Sequence, residues 1–212
     1  MFTEPQGVGL RYDDMQAGWI EVICGCMFSG KTEELIRRLN RALIARQHVE
    51  IFKPSVDTRY HTEEVVSHNK NSIASTAVQQ AEDILKMAGE CKVVGIDEAQ
   101  FFDDKIIDVC NELANKGKRV IIAGLDMDYE GKPFGPMPYL MAIAEYVTKV
   151  HAICAVSGAP ASFSYRLTPD KEKMVLGTAE QYEARSRLHF NQGIAKKNQM
   201  PVRHSPDEQK ES

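Results

Sequence analysis

The chain has 212 residues, 43% of them hydrophobic, and 26 basic residues against 30 acidic ones give it a formal net charge of -4. Such a chain can bury one substantial core, with or without a small appendage, and its mild acidity excludes a global basic field that would gather nucleic acid without sequence preference. No apolar run approaches the roughly 20 residues of a membrane-spanning helix, and five irregularly spaced cysteines with no secretory h-region ahead of them (Cys24, Cys26, Cys91, Cys110, Cys154) read as free thiols in a reducing cytoplasm.

In chain order, residues 1–18 mix polar residues and glycines without periodicity and are expected to be a flexible N-terminus. WIEVIC (19–24) predicts a strand, and KTEELIRRLNRALIARQ (31–47) predicts a helix with Leu35, Leu39 and Leu43 on one face. VEIFK (49–53) is the next strand, followed by a long polar loop through DTRYHTEEVVSHN with room for a short strand around Val65. AEDILKMAG reads as a helix, KVVGID (92–97) as a buried strand, KIIDVCNELANKG as a helix ending on Gly117, and KRVIIAGLD (118–126) as another strand. This alternation implies an α/β fold: a mostly parallel sheet flanked by helices. The segment after residue 192 is again polar and is expected to be a disordered tail.

Between the first strand and the first helix stands GCMFSGKT, which fits G-x-x-x-x-G-K-[ST] at every fixed position. The context is what gives the match meaning: after a strand and opening a helix, backbone amides converge on phosphate oxygens. Gly25, Cys26, Met27, Phe28, Ser29, Gly30, Lys31 and Thr32 are therefore candidates to bind ATP or GTP, with Lys31 neutralising the β and γ phosphates and Thr32 ligating magnesium. VVGIDEAQFF (93–102) supplies the second acidic group at the end of a hydrophobic strand. Asp97 is the natural magnesium partner; Glu98, on the opposite side of an extended backbone, faces an acceptor, where it takes a proton from a hydroxyl or orients water.

CGCMFSGKTEELIRR, FKPSVDTRY, GIDEAQFF, AGLDMDYEGKPFG and VLGTAEQY, in this order between about Trp19 and His189, resemble the type II thymidine kinases, a family also widespread in bacteria. The resemblance implies a P-loop core related to RecA-type ATPases (19–150), a small zinc-ribbon-like lasso domain closing over thymidine (151–192), a homotetramer, and feedback inhibition by dTTP. It implies Glu98 as catalytic base, with Lys31 and Arg59 also acting on the reacting groups, and Asp97, Glu98, Ala99 and Gln100 beside the nucleotide. Met27, Asp57, Phe101, Leu125, Tyr129 and Phe134 match positions near the nucleoside, whose two apolar faces suit aromatic and aliphatic neighbours. In KMVLGTAEQY (173–182), Val175, Leu176 and Gly177 match a loop that reads the base through its main chain, and Tyr182 through its ring or hydroxyl. By pattern alone Arg59 also fits a solvated loop salt bridge, the aromatics fit a core, and 173–182 fits an ordinary hairpin strand.

HAICAVSGAP (151–160) begins like half of a zinc knuckle. The family's four ligand positions correspond here to Cys154, Ser157, Ser186 and His189, so two thiolates are replaced by hydroxyls, which stay protonated at neutral pH and are poor zinc ligands. The donor set weighs against structural zinc and leaves the lasso to be held by packing, with Phe163, Tyr165, Leu167, Met174, Tyr182 and Leu188 as anchors. Two other readings of the chain are a nucleic-acid-dependent P-loop ATPase, suggested by the DEAQ box, and a nucleotide sensor without catalysis. The short acidic chain opposes the first, and intact Lys31, Thr32, Asp97 and Glu98 oppose the second.

Overall fold

A computed structural model describes residues 18–55, 64–66, 72–168 and 181–199. Its centre is a six-stranded sheet in the order β5-β2-β6-β7-β1-β8, made by β1 (Trp19–Gly25), β2 (Val49–Pro54), β5 (Thr76–Val78), β6 (Val93–Ile96), β7 (Arg119–Leu125) and β8 (Tyr146–Lys149). Every pairing in it is parallel. The central strands are mostly apolar on both faces, as fits a sheet that helices cover on both, with the charged Glu21 of β1 an exception. Val22 and Val94 pack into one cluster with helices α2 (Ala81–Met87), α3 (Lys105–Asn115) and α4 (Met137–Ile143). Ile23, Ile51 and Ile121 pack into another with α1 (Lys31–Ile44).

The face of α1 differs in one position from the expected leucine stripe. Leu35 and Leu39 are fully buried, whereas Leu43 is 45% exposed and Ala42 is buried instead. Residues four apart drift by about 40° per step at 3.6 residues per turn, so a stripe at i, i+4, i+8 leaves the contact face while i+7 stays on it. Burial of each leucine contributes about 1.5–3 kcal/mol. Helix α3 ends as its glycine implies: Gly117 (φ 83) closes a Schellman turn in which Lys118 N donates to Leu113 O at 3.1 Å and Gly117 N to Ala114 O at 2.9 Å.

A buried ionic network crosses the sheet at β1. Glu21, with no exposed side-chain surface, accepts hydrogen bonds from Arg38 Nη1 at 2.7 Å, Arg119 Nε at 2.6 Å and Trp19 Nε1 at 2.8 Å. Arg38, equally buried, also donates to Glu34 and to Thr148 Oγ1 on the edge strand β8. Burial alone would raise the Glu21 carboxyl, but Arg119, Trp19 and Arg38 together hold it below its ordinary value of 4.5. A carboxylate depressed in the fold contributes its full stabilisation above the unfolded-chain value and loses it as pH falls through the lower folded value. Thermal denaturation from pH 6 downward is therefore expected to show stability falling below about pH 4.5, with the acid slope reduced in Glu21→Gln.

The short strand expected around Val65 is present as β3 (Glu64–Val66), paired antiparallel with β4 (Ser72–Ala74). After β8 the chain forms a smaller unit. Strands β9 (Ala152–Ile153) and β10 (Pro160–Ala161) pair, β11 (Phe163–Arg166) pairs antiparallel with β12 (Tyr182–Arg185), and α5 follows (Arg187–Gln199). That helix includes residues 193–199, which polar composition assigns to a disordered tail. Its stacking of Phe190 on Phe163, with ring centroids 4.6 Å apart, supplies a hydrophobic tether that a composition reading overlooks. Among the described residues no helix is long and apolar enough to cross a membrane.

Candidate active site

The sheet's C-terminal edge gathers the chemistry. In a parallel sheet all strands end on one side, so the loop after β1, the turn after β6 and the loop after β7 become neighbours; Gly25 lies opposite Leu125 in register, and Ile96 opposite Ile122. Gly25 is required where it stands: its φ is 152°, and a Cβ there would lie 2.3 Å from Val150 O. Phe28 (φ 64) and Gly30 (φ 83) turn the loop back into α1, whose first turn starts at Lys31. Lys31 Nζ donates to Cys26 O at 2.8 Å, and Ser29 Oγ donates to the same carbonyl at 2.8 Å. The ammonium is thus held across the mouth of its own loop, where phosphate oxygens can take it over.

Thr32 Oγ1 and Asp97 Oδ2 lie 3.4 Å apart, Asp97 being only 7% exposed. Both are hard oxygen donors of the kind magnesium accepts. The residue after Asp97 departs from the sequence expectation in its cause. β6 ends at Ile96, and Glu98 adopts the left-handed conformation (φ 51, ψ 40) at the start of a 3-10 turn, Ala99–Phe101. Strand alternation therefore does not separate the two carboxylates; a backbone conformation costing about 1 kcal/mol or more does. Asp97 Oδ1 accepts from Glu98 N at 3.0 Å, locking the turn.

Gln100 joins the turn to the neighbouring strand. Its Nε2 donates to Glu98 Oε2, and its Oε1 accepts from Leu125 N at 2.9 Å. Ala99 is fully buried beneath it. Phe101 meets Phe134 edge to face, with centroids 5.7 Å apart and planes at 86°. Gly135 (φ 50) permits this approach, since a Cβ there would lie 2.4 Å from Gln100 O. Glu98, Gln100, Phe101, Leu125 and Phe134 are thereby brought together.

Strand β11 connects the P-loop to the smaller unit through its alternation. Phe163 and Tyr165 pack on Phe190 of α5, while Ser164 and Arg166 point the other way. Ser164 Oγ accepts from Met27 N at 3.0 Å. Arg166, 2% exposed, lies 3.8 Å from the centroid of the Tyr129 ring and donates to Tyr182 Oη from Nε at 2.9 Å and Nη2 at 2.6 Å. Met27, Tyr129 and Tyr182 are thus tied to one strand by two residues, Ser164 and Arg166, that sequence reading missed. Their alternation with Phe163 and Tyr165 was the available signal.

Asp126 was also missed, although, like Asp97, it follows an apolar strand. It is 6% exposed and pairs with Lys149 of β8, Nζ to Oδ2 at 2.6 Å, across the end of β1. Of the other sequence candidates, Asp57, Arg59, Val175, Leu176, Gly177 and the anchor Met174 lie outside the described residues. Phe163, Tyr165 and Tyr182 are buried anchors, but Leu167 and Leu188 are 43% and 61% exposed and do not anchor the unit. Leu167 lies just past the last residue of β11, and Leu188 is two positions, about 200° of helix rotation, from the buried Phe190.

The four knuckle positions do come together. Cys154 Sγ is 3.7 Å from His189 Nδ1, which is 3.0 Å from Ser186 Oγ. Burial pushes the Cys154 thiol up, but hydrogen bonds from the Ser157 hydroxyl and from backbone N–H groups of Ser186, Val156 and Ser157 outweigh it and bring it down to about 6. One thiolate, one imidazole and two hydroxyls do not make a good zinc donor set. All five cysteines are free and buried.

Comparison with known proteins bears on what this edge does. A family model described as thymidine kinase matches residues 18–190. A thymidine kinase of Rhodothermus sp. (strain ITI 518) is 64% identical over 173 residues, covering 82% of this chain and 81% of the relative. One from Bacteroides thetaiotaomicron is 63% identical over 166 residues, covering 78% and 83%. A more distant one, from Bdellovibrio bacteriovorus, is 53% identical over 174 residues, covering 82% and 85%.

Proposed function

The chain belongs to the thymidine kinase family, and from that premise we propose that it transfers the γ-phosphoryl group of ATP to the 5'-hydroxyl of thymidine, giving dTMP and ADP. The observation that carries the reading is the joining of a complete phosphate loop to a carboxylate, Glu98, through Asp97 and Thr32 at one sheet edge.

In this reading the loop Gly25–Thr32 holds the triphosphate, with Lys31 leaving the Cys26 carbonyl for phosphate oxygens. Thr32 and Asp97 would hold magnesium, which when bound supplies positive charge to offset that of the phosphates. Glu98 accepts the 5'-hydroxyl proton as that oxygen forms its bond to phosphorus and the bond to the ADP oxygen breaks. Gln100 fixes the Glu98 carboxylate toward the acceptor, and its anchorage on Leu125 N keeps it from rotating away. Phe101, Phe134, Leu125 and Met27 form the apolar side against a pyrimidine, and Tyr129 of the loop after β7 and Tyr182 of the smaller unit, joined by Arg166, close it. Arg59 and Asp57 are assigned to the reacting groups, and Val175, Leu176 and Gly177 to main-chain reading of the base, on the family resemblance.

The resemblance also supports a cytoplasmic homotetramer inhibited by dTTP, which light scattering and a dTTP inhibition curve test. The reading as a whole is tested by ADP formation measured without acceptor, with thymidine, and with single-stranded DNA. Thymidine is expected to stimulate turnover with formation of dTMP; stimulation by DNA alone would establish the ATPase reading instead.

A further inference from the structure

We infer that Cys154, Ser157, Ser186 and His189 form a metal-free knuckle, a site shaped for a tetrahedral ion but closed by its own hydrogen bonds, which two serine-to-cysteine substitutions would convert into a zinc site. The backbone retains the shape. Cys154 N donates to Ala159 O at 2.7 Å and Gly158 N to Cys154 O at 2.9 Å, the turn being completed by Gly158 at φ 72. Ala155 N donates to Ala184 O at 2.9 Å, which fastens this turn to β12 just before Ser186, and Phe190 N donates to Ser186 O at 2.9 Å, which sets His189 in the first turn of α5.

The two corners that keep good donors are at the right spacing. Zinc bonds of about 2.3 Å to sulfur and 2.0 Å to nitrogen, at a tetrahedral angle, place the two ligand atoms about 3.5 Å apart; Cys154 Sγ and His189 Nδ1 are 3.7 Å apart. The other two corners carry the wrong atoms. The Ser157 hydroxyl is engaged with the Cys154 sulfur, and the Ser186 hydroxyl is engaged with His189 Nδ1. In either tautomer Nδ1 is thus already occupied, and a hydroxyl offers a divalent ion far less than a thiolate. The cluster also packs directly behind the phosphate loop, since Cys154 shares a buried cluster with Cys26, Ala152, Ala161 and Ala184. The junction between the smaller unit and the loop is therefore held by hydrogen bonds and packing.

This inference concerns metal content and stability and is independent of the proposed reaction. The full chain, purified from zinc-supplemented medium and desalted, is analysed for zinc by mass spectrometry, and its Tm is measured with and without EDTA. Wild type is expected to hold less than about 0.1 zinc per chain with a Tm indifferent to EDTA, and Ser157→Cys/Ser186→Cys about one per chain with a Tm that EDTA lowers. Near-stoichiometric zinc in the wild type overturns the inference, as does a folded, reduced double variant that stays zinc-free. Should the double variant fail to fold, Cys154→Ala in the wild-type background provides a second arm: its Tm is expected to fall with no change in zinc content, and a loss of bound zinc overturns the inference.

Discussion

Glu98→Gln is expected to bind ATP nearly as the parent does while kcat for thymidine phosphorylation falls by about a hundred- to ten-thousandfold. The substitution keeps length and planarity, and its amide oxygen can still accept from Gln100 Nε2, so the contact to Leu125 N survives. What is lost is the capacity to take a proton. Inside the phosphate loop, Ser29 and Lys31 both donate to Cys26 O, bonds that the substitution leaves in place. Single-turnover kinetics and ATP titration separate the two effects. Unchanged turnover would remove Glu98 from the role of base, and a parallel collapse of ATP affinity and Tm would mark it as a structural residue of the turn.

The second large effect lies away from the chemistry. Glu21→Ala removes the carboxylate on which Arg38 and Arg119 both converge, leaving two guanidinium groups in a site where Arg38 has no exposed surface. Breaking a buried pair from one side costs about 3–5 kcal/mol, because the surviving charge remains desolvated. For a domain of this size each kcal/mol shifts Tm by about 2–4 °C, so a fall on the order of 10 °C is expected. Glu34 and Thr148 still satisfy part of Arg38, which places the loss at the lower end of that range. Calorimetry of the variant beside Glu21→Gln tests the assignment to charge: the amide is expected to recover the packing and only a minority of the stability. A Tm within 2 °C of the parent for the alanine variant would refute the account.

Much of the site was legible because its parts are local. Gly25 to Thr32 is one uninterrupted segment whose strand and helix flanks are themselves readable from periodicity, and Asp97 and Glu98 are adjacent at the end of an apolar run. The exposure of Leu43 and the left-handed conformation of Glu98 were not legible, since the first depends on where a 3.6-residue period crosses a contact face and the second on packing around Gln100. Asp126 shows the limit well. Its position after an apolar strand equals that of Asp97, but its partner, Lys149, is 23 positions away and meets it only because β7, β1 and β8 lie side by side.

By itself, then, the sequence determined the α/β class, the phosphate loop with its lysine and hydroxyl, the acidic pair after β6, and the donor deficiency at Cys154, Ser157, Ser186 and His189. Each of these is a property of residue type, short spacing or hydrophobic period. The tertiary structure alone decided that Ser164 binds the loop at Met27, that Arg166 clamps Tyr129 to Tyr182, that Glu21 is the hub of a buried ionic network, and that the four knuckle positions still converge. Those contacts join residues from 16 to 137 positions apart, and they depend on how strands and helices pack on one another rather than on any local signal.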